Sequence, residues 1–240
     1  NIRIEIRDNG AGIPESMLAE KIEDWETALP ENIKLAYLPN PMSVRLRLSA
    51  TGSSEIILQQ QVETEIEKLQ QIIPESIYGF DNETMAEVIG KLLKVSGKTL
   101  AVAESCTGGY ISHLITSVPG SSAYYKGSVS AYSNQVKQNI LGVNESSLIK
   151  YGAVSEVVAK EMALGVKKTL DTDFAVATTG IAGPEGGTEE KPVGTIWIAV
   201  AGKQKVFAKK FVFGNNRERN IIRSSQTAMQ ILRRVILKDL

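Results

Sequence analysis

Apolar and polar positions recur at two different periods along this chain, and the change of period divides it. "IRIEI" at residues 2–6 alternates with period two, as a strand with one buried face does. Residues 14–25 repeat their apolar positions at helical spacing, with Pro14 suited to a first-turn position. "IKLAYL" (33–38) and the strictly alternating "VRLRLSA" (44–50) read as strands joined through the turn-rich "PNPMS". Residues 55–73 then form a long amphipathic helix that stops at Pro74. This β-α-β-β-α order predicts helices packed over a small sheet, a compact α+β module covering residues 1–77.

"PESIYGFDNET", residues 74–84, reads as a boundary, after which strands and helices interleave. Asn82 is the predicted N-cap of a helix over 83–95 that Gly97 stops. Strands are predicted at 99–103, 126–133, 174–179, 194–201 and 205–213. Helices are predicted at 107–117, 134–141, 155–170 and 217–237. The pattern calls for an α/β fold over residues 78–240. It is a three-layer α/β/α sandwich with a mixed sheet, whose last two strands run antiparallel around residues 202–203.

Composition adds exclusions. The chain has 240 residues, 42% hydrophobic, with 27 basic and 27 acidic side chains that cancel. That is enough apolar material for a sizeable core, and the balance makes a nucleic-acid partner an unfavoured reading. The single cysteine, Cys106, allows neither an intrachain disulfide nor a cysteine-built zinc site, which fits a reducing cytoplasm. No apolar run approaches the roughly 20 residues that cross a bilayer, so no membrane partner is expected. "NIRIEIRDNG" is neither a signal peptide nor a start methionine, and reads as though cut from something longer.

Four stretches could carry chemistry. "AVAESCTGG" (101–109) puts Ser105 at a strand-to-helix turn, facing backbone N–H groups at a positive helix end. Ser105 is there either a nucleophile or a helix cap, and a nucleophile needs a base. His113 cannot serve, because it lies eight residues further on, about two turns along the helix at 1.5 Å per residue. In "GSVSAYSNQVK" (127–137), Tyr132 and Lys137 fall at the end of the next strand. If that strand is parallel to the first, both meet Ser105 at one sheet edge, where a desolvated lysine can act as base. The long Gly-rich stretch after Thr179 and Gly180 lacks P-loop spacing and is either a close backbone approach to a ligand or a plain connection. Arg217 and Arg219 open the last helix behind Asn215 or Asn216, where cations oppose the helix dipole unless an anion is bound. No metal site emerges.

Taken in order, "AESCTGG", "AYSNQVK", "GAVSEVVAKEMALG", "TTGIAGPEGGTEEKPVGTIWIAV" and "NNRERNIIR" resemble the CinA C-terminal domain, shared with the stand-alone nicotinamide-nucleotide amidases. "GIPESMLAEKIEDWE" and "IKLAYLPNPMSVRLRLSA" are similar to the small module that precedes it in full-length CinA proteins. On this resemblance the chain looks like the C-terminal part of a CinA protein, without the large domain that resembles molybdopterin-binding proteins. The resemblance implies hydrolysis of nicotinamide mononucleotide to nicotinic acid mononucleotide and ammonia, in pyridine-nucleotide recycling, with no cofactor. It implies Ser105 as nucleophile with Tyr132 and Lys137 as its partners. Lys137, directly or through Tyr132, accepts the serine proton, and N–H groups around Thr107 and Gly108 hold the oxyanion. Thr179, Gly180, Arg217 and Arg219 match positions that line the nucleotide pocket. A homo-oligomer is also implied. The alternative is a non-catalytic nucleotide-binding or protein-interaction module linked to competence or DNA damage.

Overall fold

The computed structural model describes residues 2–8, 15–40, 43–74 and 76–239. The chain divides into two compact units, Asn1–Val88 and Ile89–Leu240.

The first unit contains β1 (Ile2–Asp8), α1 (Glu15–Thr27), β2 (Ile33–Asn40), β3 (Ser43–Ala50), α2 (Glu55–Ile72) and β4 (Ile77–Phe80). Its sheet has the order β2-β3-β1-β4 with every pair antiparallel. The alternation of "VRLRLSA" becomes burial: Val44, Leu46, Leu48 and Ala50 are inside. They meet Leu18, Ile22 and Trp25 of α1 and Leu58, Val62 and Leu69 of α2 in one core. The indole of Trp25 donates to the buried Glu65 carboxylate at 3.1 Å, so this buried charge has a partner. The module expected to end at residue 77 runs further, because β4 pairs with β1. Four residues with a glycine among them carry no readable period. Pro14 and the centre of the "PNPMS" turn lie outside the described residues.

Helix α3 (Met85–Ser96) contains the division between the units. Its cap is Thr84 and not Asn82. The Thr84 hydroxyl accepts from the Glu87 N–H (3.2 Å) while the Glu87 carboxylate accepts from the Thr84 N–H (2.7 Å), a reciprocal capping box. Gly97, at φ 64°, ends the helix as expected. There follow β5 (Leu100–Glu104), α4 (Tyr110–Thr116), β6 (Tyr125–Ser130), α5 (Asn134–Asn139), α6 (Glu145–Tyr151) and α7 (Glu156–Thr169). The chain ends in β7 (Phe174–Gly180), β8 (Thr195–Ala201), β9 (Val206–Val212) and α8 (Arg217–Asp239). Helix α4 starts at residue 110 and not at 107, because Gly108 and Gly109 sit at φ 60° and 102° and hold a turn. Strand β6 stops at Ser130 because Ser133 leaves the sheet to cap α5, accepting from the Val136 N–H. Helix α6 has no counterpart among the sequence-based expectations.

The second sheet runs β6-β5-β7-β8-β9, with β6, β5 and β7 parallel and β8 and β9 antiparallel. It is the mixed α/β sheet the sequence predicts. One face is almost entirely alanine, Ala101, Ala103, Ala175, Ala177, Ala199 and Ala201, against Val158, Met162 and Val166 of α7. The other presents Leu100, Val102, Phe174, Val176, Ile196 and Ile198, and α8 brings its buried Met229, Leu232 and Ile236 to that sheet. Small side chains let α7 lie close. A Cβ on its Gly165 would fall 1.9 Å from the Leu141 carbonyl oxygen, so only glycine fits there.

Candidate active site

Three parallel strands end at one sheet edge, the place where α/β folds collect reactive groups. Glu104, the last residue of β5, is in register with Ser130 of β6 and Thr178 of β7. Ser105 therefore emerges between the two neighbouring strand ends, pinned by its N–H to the Thr178 carbonyl at 3.0 Å.

Glu104, whose sequence position suits a structural hydrogen-bond acceptor, is one in the turn that follows. The fully buried Glu104 carboxylate accepts from the N–H groups of Gly109 (3.1 Å), Ile111 (3.0 Å) and Ser112 (2.9 Å), and from the Ser112 hydroxyl (2.6 Å). The positive end of α4 is thus neutralised by the chain's own anion and is not offered to a substrate. The Gly108 N–H, expected at the oxyanion, donates to the Ser105 carbonyl at 3.2 Å. Among the described residues the Cys106 and Thr107 N–H groups donate to no oxygen acceptor, the Cys106 N–H lying against its own thiol.

Lys137 is the second half of the site. Capped by Ser133, α5 turns the Lys137 side chain inward until it is 1% exposed. Its Nζ donates to Ser105 Oγ at 3.1 Å, to the Ala131 carbonyl at 2.7 Å and to the Tyr132 carbonyl at 3.4 Å. Burial draws its pKa below the ordinary 10.5, against a smaller opposing pull from Cys106. An amine held within hydrogen-bond reach of a serine hydroxyl, its charged form disfavoured by burial, is a pairing that can activate a nucleophile. Cys106 is no competitor. Burial pushes its thiol up to about 12, so it remains protonated and unreactive at neutral pH.

Tyr132 contributes differently from the expectation. Its backbone carbonyl faces the Lys137 amine, but its hydroxyl accepts from Arg217 Nη2 at 3.0 Å and its side chain is 64% exposed. Lys137 reaches Ser105 directly, so no tyrosine relay is needed.

A cleft of about 250 Å³ opens over this pair, and Ser105, Tyr132, Lys137, Thr179, Gly180 and Arg217 all line it. Three other expected residues do not. Thr107 is buried with its hydroxyl paired to Thr178 at 2.7 Å, Gly108 lies in the turn, and Arg219 is exposed on α8. Position three of a helix turn points away from position one. Thr179 supplies wall more than contact, since its hydroxyl donates to the Ala153 carbonyl at 2.8 Å. Sequence reasoning missed Asn134, Ala153 and Val154 as lining residues, and Asn220 as a support. Asn134 reads as a cap, and residues 153–154 carry no chemical signal. Among the described residues no cluster of three metal-ligating side chains occurs, and no helix is long and apolar enough to cross a membrane.

The wall over the cleft belongs to the Gly-rich connection between β7 and β8. Arg217 Nη1 donates to the Gly183 carbonyl at 2.8 Å, and the amide of the buried Asn220 donates to the carbonyls of Ala182 and Gly214, each at 2.9 Å. Asn216, as expected for that pair of asparagines, caps α8 by accepting from the Arg219 N–H.

The family model of the CinA C-terminal domain matches residues 82–236, and that of the damage-inducible protein CinA KH domain matches residues 9–79. A CinA-like protein of Cytophaga hutchinsonii is 48% identical over 224 residues, covering 93% of this chain and 54% of that protein. One from Trichormus variabilis is 45% identical over 229 residues, covering 94% of this chain and 55% of its own length. The chain thus spans about half the length of the curated relatives it matches. Among solved structures, the competence/damage inducible protein CihA of Agrobacterium tumefaciens has a TM-score of 0.62 at 36% identity, covering 63% of this chain and 93% of that one. A competence-damaged protein (CinA) superfamily protein of Escherichia coli has a TM-score of 0.60 at 33% identity, with 62% and 87% covered.

Proposed function

The chain belongs to the CinA family, and from that premise and the Ser105–Lys137 contact we propose that it is an amidase that hydrolyses the carboxamide of nicotinamide mononucleotide. The products are nicotinic acid mononucleotide and ammonia. The observation that carries the reading is the 3.1 Å approach of a buried lysine amine to a nearly buried serine hydroxyl at the floor of a cleft. The choice of substrate comes from the family resemblance; the cleft is compatible with a flat heterocyclic amide whose anionic end extends to Arg217.

In this mechanism Lys137 takes the Ser105 proton as Oγ attacks the carboxamide carbon. The oxyanion forms beside the Cys106 and Thr107 N–H groups, which donate to no oxygen among the described residues. The Lys137 ammonium then gives its proton to the departing nitrogen, and ammonia leaves an acyl-serine. A water molecule, deprotonated by the same amine, attacks the acyl carbon and releases the carboxylic acid and Ser105. Arg217 matches the substrate phosphate through N–H groups that Gly183 and Tyr132 do not occupy.

The test is ammonia release from nicotinamide mononucleotide by this chain and by Ser105→Ala. The substitution removes the nucleophile, so turnover falls to background, while the fold keeps its melting temperature within a few degrees. A Ser105→Ala protein that retains the parent rate refutes the assignment.

A further inference from the structure

Two side chains on the first turn of α8, three residues apart and so on one helix face, grip consecutive carbonyls of the Gly-rich connection. Arg217 holds Gly183 at 2.8 Å and Asn220 holds Ala182 at 2.9 Å. Asn220 is 1% exposed, and its second amide hydrogen goes to Gly214, in the connection that leads into α8 itself. One buried amide therefore ties together the wall of the cleft, through Ala182, and the approach to the helix that carries Arg217. Both of its donors are spent on this, and no aspartate, serine or alanine could replace both.

The arrangement has a consequence for Arg217. This side chain is exposed along much of its length, and a free arginine at a surface samples many rotamers. Here its guanidinium is fixed between the Gly183 carbonyl and the Tyr132 hydroxyl, at the rim of the cleft. The position of Gly183 depends on that of Ala182, its neighbour, which Asn220 holds. We infer that Asn220 is a positioning residue for substrate recognition: by fixing Ala182 it fixes the Gly183 carbonyl, and so aims the remaining Arg217 N–H groups at the anionic end of the substrate. It touches neither the reacting carbon nor the Ser105–Lys137 pair. Its loss therefore weakens binding and leaves the chemical step intact.

This inference rests on the amidase reading for one of its two tests and is independent of it in the other. The first test measures ammonia release from nicotinamide mononucleotide by the parent, Asn220→Ala, Arg217→Ala and the double variant. A lost pair of buried hydrogen bonds that served only binding raises KM about tenfold and leaves kcat within about twofold. In the Arg217→Ala background the same substitution adds little further to KM, because its effect passes through the arginine. The second test follows amide hydrogen exchange in residues 181–187, which accelerates in Asn220→Ala while the peptides of β5 and β7 do not change. A near-isosteric Asn220→Leu variant, which keeps most of the volume and removes both donors without adding a charge, reproduces the Ala result and guards against a packing artefact. The inference is overturned by an unchanged KM, by a KM effect that multiplies fully with that of Arg217→Ala, or by unaltered exchange. A parent chain that releases no ammonia refutes the amidase reading, and the exchange measurement alone then decides the role of Asn220.

Discussion

Replacing Lys137 by methionine separates the chemistry of the site from its stability. Methionine follows the lysine stem closely in volume, so the 1%-exposed cavity stays filled and no packing void opens. Two terms then oppose each other. The Ala131 carbonyl loses the donor it held at 2.7 Å, and a buried acceptor left unpaired costs about 1–3 kcal/mol. Against this, the fold no longer has to hold a desolvated amine, and each unit by which the lysine is depressed is worth about 1.4 kcal/mol to the variant. The variant folds, and the pH dependence of the difference identifies the group. Burial lowers the folded-state value below 10.5, so between the lowered value and 10.5 the unfolded parent binds more protons than the folded one. The parent's stability relative to the variant therefore rises through that window, by up to about 1.4 kcal/mol per pH unit, and is flat below it. Urea unfolding at several pH values between neutrality and 10.5 reads this slope. On the amidase reading, the parent's rate climbs as pH passes the lowered lysine value, and the variant loses about 10²- to 10⁴-fold in kcat. A Met variant with undiminished turnover, or a stability difference independent of pH, refutes the role given to this amine.

Other outcomes follow from the same fold. Glu104→Gln places an amide among three N–H donors that need an acceptor and destabilises the protein by about 1–3 kcal/mol, read as a lower urea midpoint; an unchanged midpoint contradicts the capping role. Gly165→Ala drives a methyl group into the Leu141 carbonyl and costs roughly 1–3 kcal/mol, whereas an ordinary helix position would gain from the change. Burial alone would raise the Asp173 carboxyl, but hydrogen bonds from Lys98 and Thr99 outweigh it and hold the group below its usual range. Asp173→Asn is accordingly less stable than the parent at neutral pH, and the gap closes as pH falls through the lowered value; a gap that persists in acid excludes this ion pair as its source.

How far the sequence could be read depends on what each element relies on. Strands β3 and β5 and helices α3 and α8 announce themselves because long periodic or wholly apolar runs leave one burial pattern open. Ser105, Lys137 and Arg217 are legible because each stands beside a strand end or a helix start, and parallel pairing brings those ends together. What escaped is what rests on tertiary partners. Glu104 reads as a structural hydrogen-bond acceptor, and so it is, but nothing local tells that its donors are the first N–H groups of α4. Tyr132 looks like a relay until its hydroxyl is found on Arg217. Asn220 sits inside a polar helix start, and its role depends on two carbonyls 38 and 6 residues away. Helix α6 is seven residues long, too short for a period to show.

The reactive pair straddles the seam between β5 and β6, and β6 is an edge strand, where every second residue faces solvent. A partial opening that peels this margin away would part the amine from the hydroxyl while the alanine-floored interior and α7 stayed assembled. Inactivation on warming should therefore run ahead of the loss of helical circular dichroism, and it should reverse on cooling. On the amidase reading, turnover in such a fold is a gauge of the sheet's border.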